Sequence, residues 1–280
     1  MNKFRHVGIV VKNLDKSHKF YEKYFNFKIE RKMNEGGKFL ENLFTSNDKF
    51  KAAPSILDNN GNILILVGDT GGHFYGINLD GSLAFNIITG NDIMSEPGFI
   101  EINNQVAIFF GSEDGNLYGI DINGNHLENW PQYIGNGKVN SSPIFADLDG
   151  DDDAEVISAT EEGKLIIFHL DGTPYHNYPM DFGVGFISSP SVIDLDNDGD
   201  LEIIIGTDLN LSVIDIKDST NNSQYYWFTY RGDSHKTGSY ETNSYLLGDL
   251  NFDLVLNVQD LVIAINIIIG NLNPNTQQSI

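Results

Sequence analysis

The 280-residue chain contains no cysteine, which excludes disulfides and thiolate metal sites and leaves the redox compartment unreadable. No apolar run reaches the roughly 20 residues of a membrane-spanning helix. The only apolar run near the N-terminus, Val7 to Val11, is too short for a signal-peptide core, so the N-terminus as written reads as that of an intracellular protein. Positive charge is scarce beyond residue 51. Of the 17 Lys and Arg, 12 lie in residues 1–51 against 6 acidic residues, while residues 52–280 carry 5 against 33. The net charges of the two pieces are +6 and −28, within a total of −22. Such an acidic portion repels phosphate, which argues against nucleic acid and anionic membranes as partners. The break near residue 50 marks two unrelated pieces on one chain, and the 40% hydrophobic content suffices for real cores.

What is abundant is acid at alternating positions. Asp147-Leu-Asp149-Gly-Asp151-Asp-Asp153-Ala-Glu155 is followed by Asp194-Leu-Asp196-Asn-Asp198-Gly-Asp200-Leu-Glu202. Five carboxylates at this spacing repel one another on a bare loop, and a hard cation among them removes the repulsion. Calcium takes six to eight oxygens, which positions 1, 3, 5 and 9 of each loop can supply with a backbone carbonyl at position 7, that of Asp153 or Asp200. Magnesium demands a stricter octahedron and keeps more water. A solvated turn rich in Asp and Gly is the plainer alternative. An Asp/Glu pair can also do glycoside chemistry, but a bound cation would keep both carboxylates ionised and remove the general acid. No catalytic residue is assigned.

The loops belong to a repeat. A small residue closes an apolar strand at Gly68, Gly111, Ala159 and Gly206, and Pro54, Pro97, Pro143 and Pro190 mark the start of each unit. Each unit reads as four strands with Asn/Asp-Gly hairpin turns, and four strands in about 45 residues is the pattern of a β-propeller blade. The fold expected is mainly β, with four blades at about 53–96, 97–141, 142–189 and 190–240, in a closed ring or an open arc. A β-sandwich built from the same hairpins is the alternative, although sandwiches need no fixed repeat. Units one and two carry Asp58-Asn-Asn-Gly-Asn and Glu101-Ile-Asn-Asn-Gln in place of the acidic loops, with too few carboxylates for a metal.

The acidic loops resemble the calcium loop of FG-GAP or VCBS propeller repeats, Asp-x-Asp-x-Asp-Gly-x-x-Glu. The second copy matches at every defining position, and the first has Asp152 where the pattern has Gly. The resemblance implies Asp147, Asp149, Asp151, Asp153 and Glu155, and Asp194, Asp196, Asp198, Asp200 and Glu202, as calcium ligands. The last strand of the fourth unit carries Tyr225-Tyr-Trp227-Phe-Thr-Tyr230-Arg231-Gly-Asp233 and then Thr237-Gly238, which resembles a segment where quinoprotein-like propellers join their neighbours. Its aromatics suit either the packing of a closing strand or a sugar-stacking face.

Residues 1–46 read as strand, helix and strand, a small α/β unit, followed by a linker at 47–52. The phrase His6-Val-Gly-Ile-Val-Val-Lys-Asn-Leu-Asp, with Phe20-Tyr21-Glu22 and Phe25-Asn26-Phe27, resembles the opening of the vicinal-oxygen-chelate family, which includes glyoxalase I and methylmalonyl-CoA epimerase. In that family the first-strand His, here His6, is a metal ligand. One His does not hold a catalytic metal, which needs about three protein ligands, and the chain changes character before the family's second module.

After a second linker at 241–247, residues 248–272 place Asp249, Asn251, Asp253, Asn257 and Asp260 at EF-hand-like spacing ahead of an apolar helix pattern from Leu261, with a tail at 273–280. A plain helix capped by Asp260 is the alternative. The segment resembles the first calcium repeat of a dockerin, the module that plugs secreted enzymes into cohesin scaffolds. Val258 and Gln259 stand where recognition Ser/Thr residues often occur. Both terminal resemblances stop short, as in a fusion or fragment. The reading is therefore a calcium-binding propeller-type binding or scaffold protein with a dockerin-like tail. Its partner would be a cohesin-like protein or a polysaccharide, and its location extracellular or at the cell surface by resemblance. The rival is a metal-dependent glyoxalase or epimerase built on the N-terminal segment.

Overall fold

The chain divides into two compact units, Met1–Asn42 and Leu43–Ile280. In the computed structural model the described residues are 43–217, 226–232 and 236–241. His6 and the dockerin-like positions Asp249, Asn251, Asp253, Asn257 and Asp260 lie outside them.

The described part is all β, in four sheets. The first joins β1 (Ser55–Asn59), β2 (Asn62–Gly68), β3 (His73–Asn78) and β4 (Leu83–Ile88). The second joins β5 (Gly98–Ile102), β6 (Gln105–Gly111), β7 (Asn116–Asp121) and β8 (Gln132–Tyr133), and the third β9 (Ile144–Ala146), β10 (Glu155–Ala159), β11 (Lys164–His169) and β12 (Met180–Asp181). The fourth has β13 (Ser191–Ile193), β14 (Leu201–Gly206) and β15 (Leu211–Ile216). Within each sheet these strands run antiparallel in chain order, the meander of a propeller-type blade. Among the described residues no helix is long and apolar enough to cross a membrane.

Sequence dictates the local geometry. The second strands of the blades have no polar alternation because both faces are covered, and all five residues of β10 are buried. Where β1 meets β2, Asn60 and Gly61 adopt φ of 52° and 85°, and between β5 and β6 Asn103 and Asn104 adopt 51° and 61°, the two positive-φ residues of a tight hairpin. In the third and fourth blades the acidic loops replace that turn. The small residue that closes each second strand also has a cause. A Cβ on Gly111 would lie 2.2 Å from the carbonyl oxygen of Val139, and one on Gly68 would lie 2.2 Å from Ile93. The connector to the next blade passes that close.

One core cluster runs through all four sheets. Aromatic rings join neighbouring blades: Phe74 stacks on Phe110 at 3.9 Å, and Phe109 meets Phe145 edge-on at 5.4 Å. Trp130 of the second blade donates its indole N–H to the Leu170 carbonyl of the third at 2.9 Å.

The segment expected as a last strand of the fourth blade behaves differently. Residues 226–232 form bends and turns, and β16 (Ser239–Glu241) joins the first sheet, parallel to β1. On the way the segment touches every sheet. Phe145 and Val192 donate backbone N–H groups to the carbonyls of Trp227 and Phe228, Ile56 donates to Gly238, and the Trp227 ring packs edge-on against Phe99 at 5.0 Å. Trp227 is 6% exposed. Of the two sequence alternatives for this tryptophan, the packed one holds. Trp227→Ala is expected to cost about 3–5 kcal/mol, read as a lower urea midpoint with an unchanged slope. A loss under about 1 kcal/mol would contradict this central packing role.

Candidate metal centre

The 147–155 loop leaves β9 and returns as β10. Asp147, fully buried, accepts the backbone N–H of Gly150 at 2.6 Å and of Asp152 at 3.1 Å, folding the loop around its own first residue. Asp153 N–H bonds Asp151 at 2.9 Å. Glu155, the first residue of β10, is also fully buried and accepts the N–H of Leu148 at 2.7 Å. The 194–202 loop shares three of these contacts and adds one of its own. Leu195 donates to Glu202 at 2.6 Å, Gly199 to Asp194 at 3.3 Å, Asp198 to Asp196 at 3.2 Å and Asp200 to Asp198 at 3.1 Å.

The turns correspond as well. Gly150 and Asn197 have φ of 81° and 63°, and Asp152 and Gly199 have 70° and 99°. Asp152 therefore takes the left-handed conformation the repeat reserves for glycine, which Asp tolerates better than most residues. Its substitution for Gly leaves the turn intact.

These folds gather ligand atoms. Those of Asp147, Asp149 and Asp151 lie within 4.8 Å of one another, as do those of Asp194, Asp196 and Glu202, and those of Asp149, Glu155 and His169. Asp153, Asp198 and Asp200 are not in these sets; for Asp153 and Asp200 the motif asks only for a backbone carbonyl. His169, at the end of β11, faces Glu155 across the ladder, and its Nδ1 lies 2.9 Å from the Glu155 carboxylate. Sequence reasoning missed it. The signal was the repeat itself, because the residue paired with this strand position is Asn78, Asp121, His169 and Asp215 in the four units.

Electrostatics mark the third-blade loop as short of positive charge. Burial, reinforced by Asp149, Asp147 and Asp151, pushes the Glu155 carboxyl up to about 8. Burial and then Asp151 push Asp149 up. One oxygen of Asp149 is enclosed without any hydrogen-bond partner. A carboxylate-rich pocket with an orphaned oxygen fits a dication, which would supply the missing partner and reverse the shifts. The fourth-blade loop has a cation beside it, Lys217, 3.6 Å from Asp200 and paired with Asp215.

The profile of the FG-GAP-like repeat family matches residues 147–205, which span both acidic loops. The profile of the glyoxalase/bleomycin resistance protein/dioxygenase superfamily matches residues 3–65, running on into β1 and β2. No protein of curated function matches the chain in sequence. Among solved structures it is similar to the computationally designed Ika4 protein at 13% identity and a TM-score of 0.42, over 64% of this chain and 99% of that one. It is similar to BamB from Moraxella catarrhalis at 14% and 0.44, over 66% and 52%. To BBS1N, solved in complex with ARL6DN, the values are 13% and 0.39, over 57% and 47%. The chain spans about half the length of the latter two.

Because the folded Glu155 carboxyl titrates above its ordinary 4.5, at about 8, the native state holds a proton that the unfolded state has released between those values. Metal-free protein is therefore expected to lose stability as pH rises from about 4.5 to about 8, and Glu155→Gln to flatten that slope. Urea unfolding after removal of metal checks both. A stability that climbs over the same interval would contradict the assignment.

Proposed function

We propose that residues 53–240 form a calcium-stabilised propeller-type binding module rather than an enzyme. The observation that carries this reading is the pair of buried glutamates, Glu155 and Glu202, at 0% and 4% exposure, each bonded to the second residue of its own acidic loop. Calcium at Asp147, Asp149, Asp151 and Glu155, and at Asp194, Asp196, Asp198 and Glu202, with the carbonyls of Asp153 and Asp200, would tie each loop to its strand. A cation there serves stability and leaves no free acid/base pair for turnover.

The surface available to a partner lies at the other ends of these strands. The turns at Ser112–Gly115 and Thr160–Gly163 close the strand ends opposite the acidic loops. On that side a cavity of about 460 Å³ is lined by Glu96, Asn140, Glu161, Phe186, Ile187 and Tyr230 among others. Carboxylates beside aromatic and aliphatic walls suit a sugar ring or an exposed protein side chain. By resemblance the chain works outside the cell, with residues 248–272 as a dockerin-like calcium half-module that engages a cohesin-like protein. A glyoxalase- or epimerase-type activity of the N-terminal segment is the second reading, favoured by the match over residues 3–65.

Calcium added to metal-free protein is expected to raise the melting temperature. At 1,000 times Kd each site contributes about 4 kcal/mol, and each kcal/mol moves the midpoint by about 2–4 °C in a unit of this size. Magnesium should act far more weakly, and Asp196→Asn should remove one site's share. An unchanged melting curve on chelation would overturn the proposal. Turnover with zinc, nickel or cobalt that is lost in His6→Ala would favour the second reading.

A further inference from the structure

The two acidic loops share their positive-φ positions and three hydrogen bonds, yet their surroundings differ in the one feature that decides metal preference. We propose that the third-blade site, formed by Asp149, Glu155 and His169, takes a first-row transition-metal dication such as zinc, while the fourth-blade site remains an oxygen-only calcium site. This inference rests on the reading of the loops as metal sites and replaces calcium with zinc as the preferred ion in the third blade alone.

Calcium is held by oxygen, whereas an imidazole nitrogen is a ligand for zinc, cobalt, nickel and copper. In the fourth blade the ladder position equivalent to His169 is held by Asp215, which pairs with Lys217 and lies outside the cluster of Asp194, Asp196 and Glu202. In the third blade that position supplies a nitrogen, with Nδ1 2.9 Å from the Glu155 carboxylate. Asp149, Glu155 and His169 make three protein ligands, the number found in open zinc sites and the number a lone His6 does not reach.

The imidazole is also held in place. Its ring packs against that of Tyr175, centroids 5.6 Å apart, and Tyr175 is buried at 3% exposure. The Tyr175 hydroxyl donates to the carbonyl of Leu148 at 3.3 Å, so one side chain supports both the histidine and the acidic loop. Such outer contacts orient a ligating histidine. The enclosed Asp149 oxygen that has no protein partner belongs to this same set. A His169–Glu155 ion pair without metal would satisfy Glu155 and leave Asp149 as it is.

The test uses the full chain carrying His6→Ala and His18→Ala, so that the N-terminal segment contributes no histidine ligand, after metal removal. Cobalt binding is followed by its visible absorption, zinc by competition with cobalt, and calcium by calorimetry. Zinc and cobalt are expected to bind one site, weakened about 10- to 100-fold or more by His169→Ala. Calcium is expected to bind the 194–202 loop unchanged in that variant and to be lost there in Asp196→Asn. His169→Gln, which keeps a side chain of similar reach, gives the same readout should the alanine variant fail to fold. Zinc and cobalt affinities unchanged in both His169 variants, with calcium bound equally at both loops, would overturn the inference and leave the calcium reading standing. Calcium absent from the 194–202 loop, with cobalt still lost on His169→Ala, would overturn the calcium reading and the fourth-blade half of the inference and leave the third-blade site standing.

Discussion

A carboxylate buried at the foot of a β-strand, with other carboxylates around it, is the constraint on which the third and fourth blades depend. Glu155 is the first residue and Glu202 the second residue of the second strands of those blades, and each draws the acidic loop inward through the N–H of Leu148 or Leu195. Burying charge without a counterion costs several kcal/mol or more. At Glu155 that cost is relieved either by a proton, the direction in which burial pushes its carboxyl, or by a cation. The first two blades avoid the problem with two-residue turns at Asn60-Gly61 and Asn103-Asn104. Two kinds of connection thus serve one repeat, and only one of them brings a binding chemistry with it.

A second constraint acts at the centre. Residues 226–232 bridge the sheets, and β16 pairs with β1, so the end of the repeat array is tied to its beginning by hydrogen bonds. Arg231 strengthens this tie by donating to the carbonyls of Pro54 and Thr237. Metal loops and central segment contribute differently: the loops fix the ends of strands within a blade, and the segment holds blades to one another.

Much of this was legible in the sequence because periodicity is insensitive to local detail. The recurrence of Gly68, Gly111, Ala159 and Gly206 located the second strands, and the structure adds the reason, a backbone or side chain within contact of the missing Cβ at Gly68 and Gly111. The acidic spacing located both loops. Three features escaped. His169 is close to Glu155 only through strand pairing, fourteen positions along the chain. Asp152 looked like a defect in the motif, but a positive φ is open to Asp and the turn keeps its shape. The aromatic stretch from Tyr226 read as a strand because aromatics favour strands, whereas its residues are used as packing between sheets, where Trp227 meets Phe99 and Tyr240.

The central claim is that cations complete the acidic loops. Anomalous diffraction from crystals grown in calcium, with a second set grown in zinc, tests it most directly. The account predicts a calcium peak enclosed by Asp194, Asp196 and Glu202, and a metal peak bounded by Asp149, Glu155 and His169 that is stronger in the zinc crystals. Loops that refine with water alone at millimolar concentrations of both metals, Glu155 still within hydrogen-bond reach of His169, would contradict it.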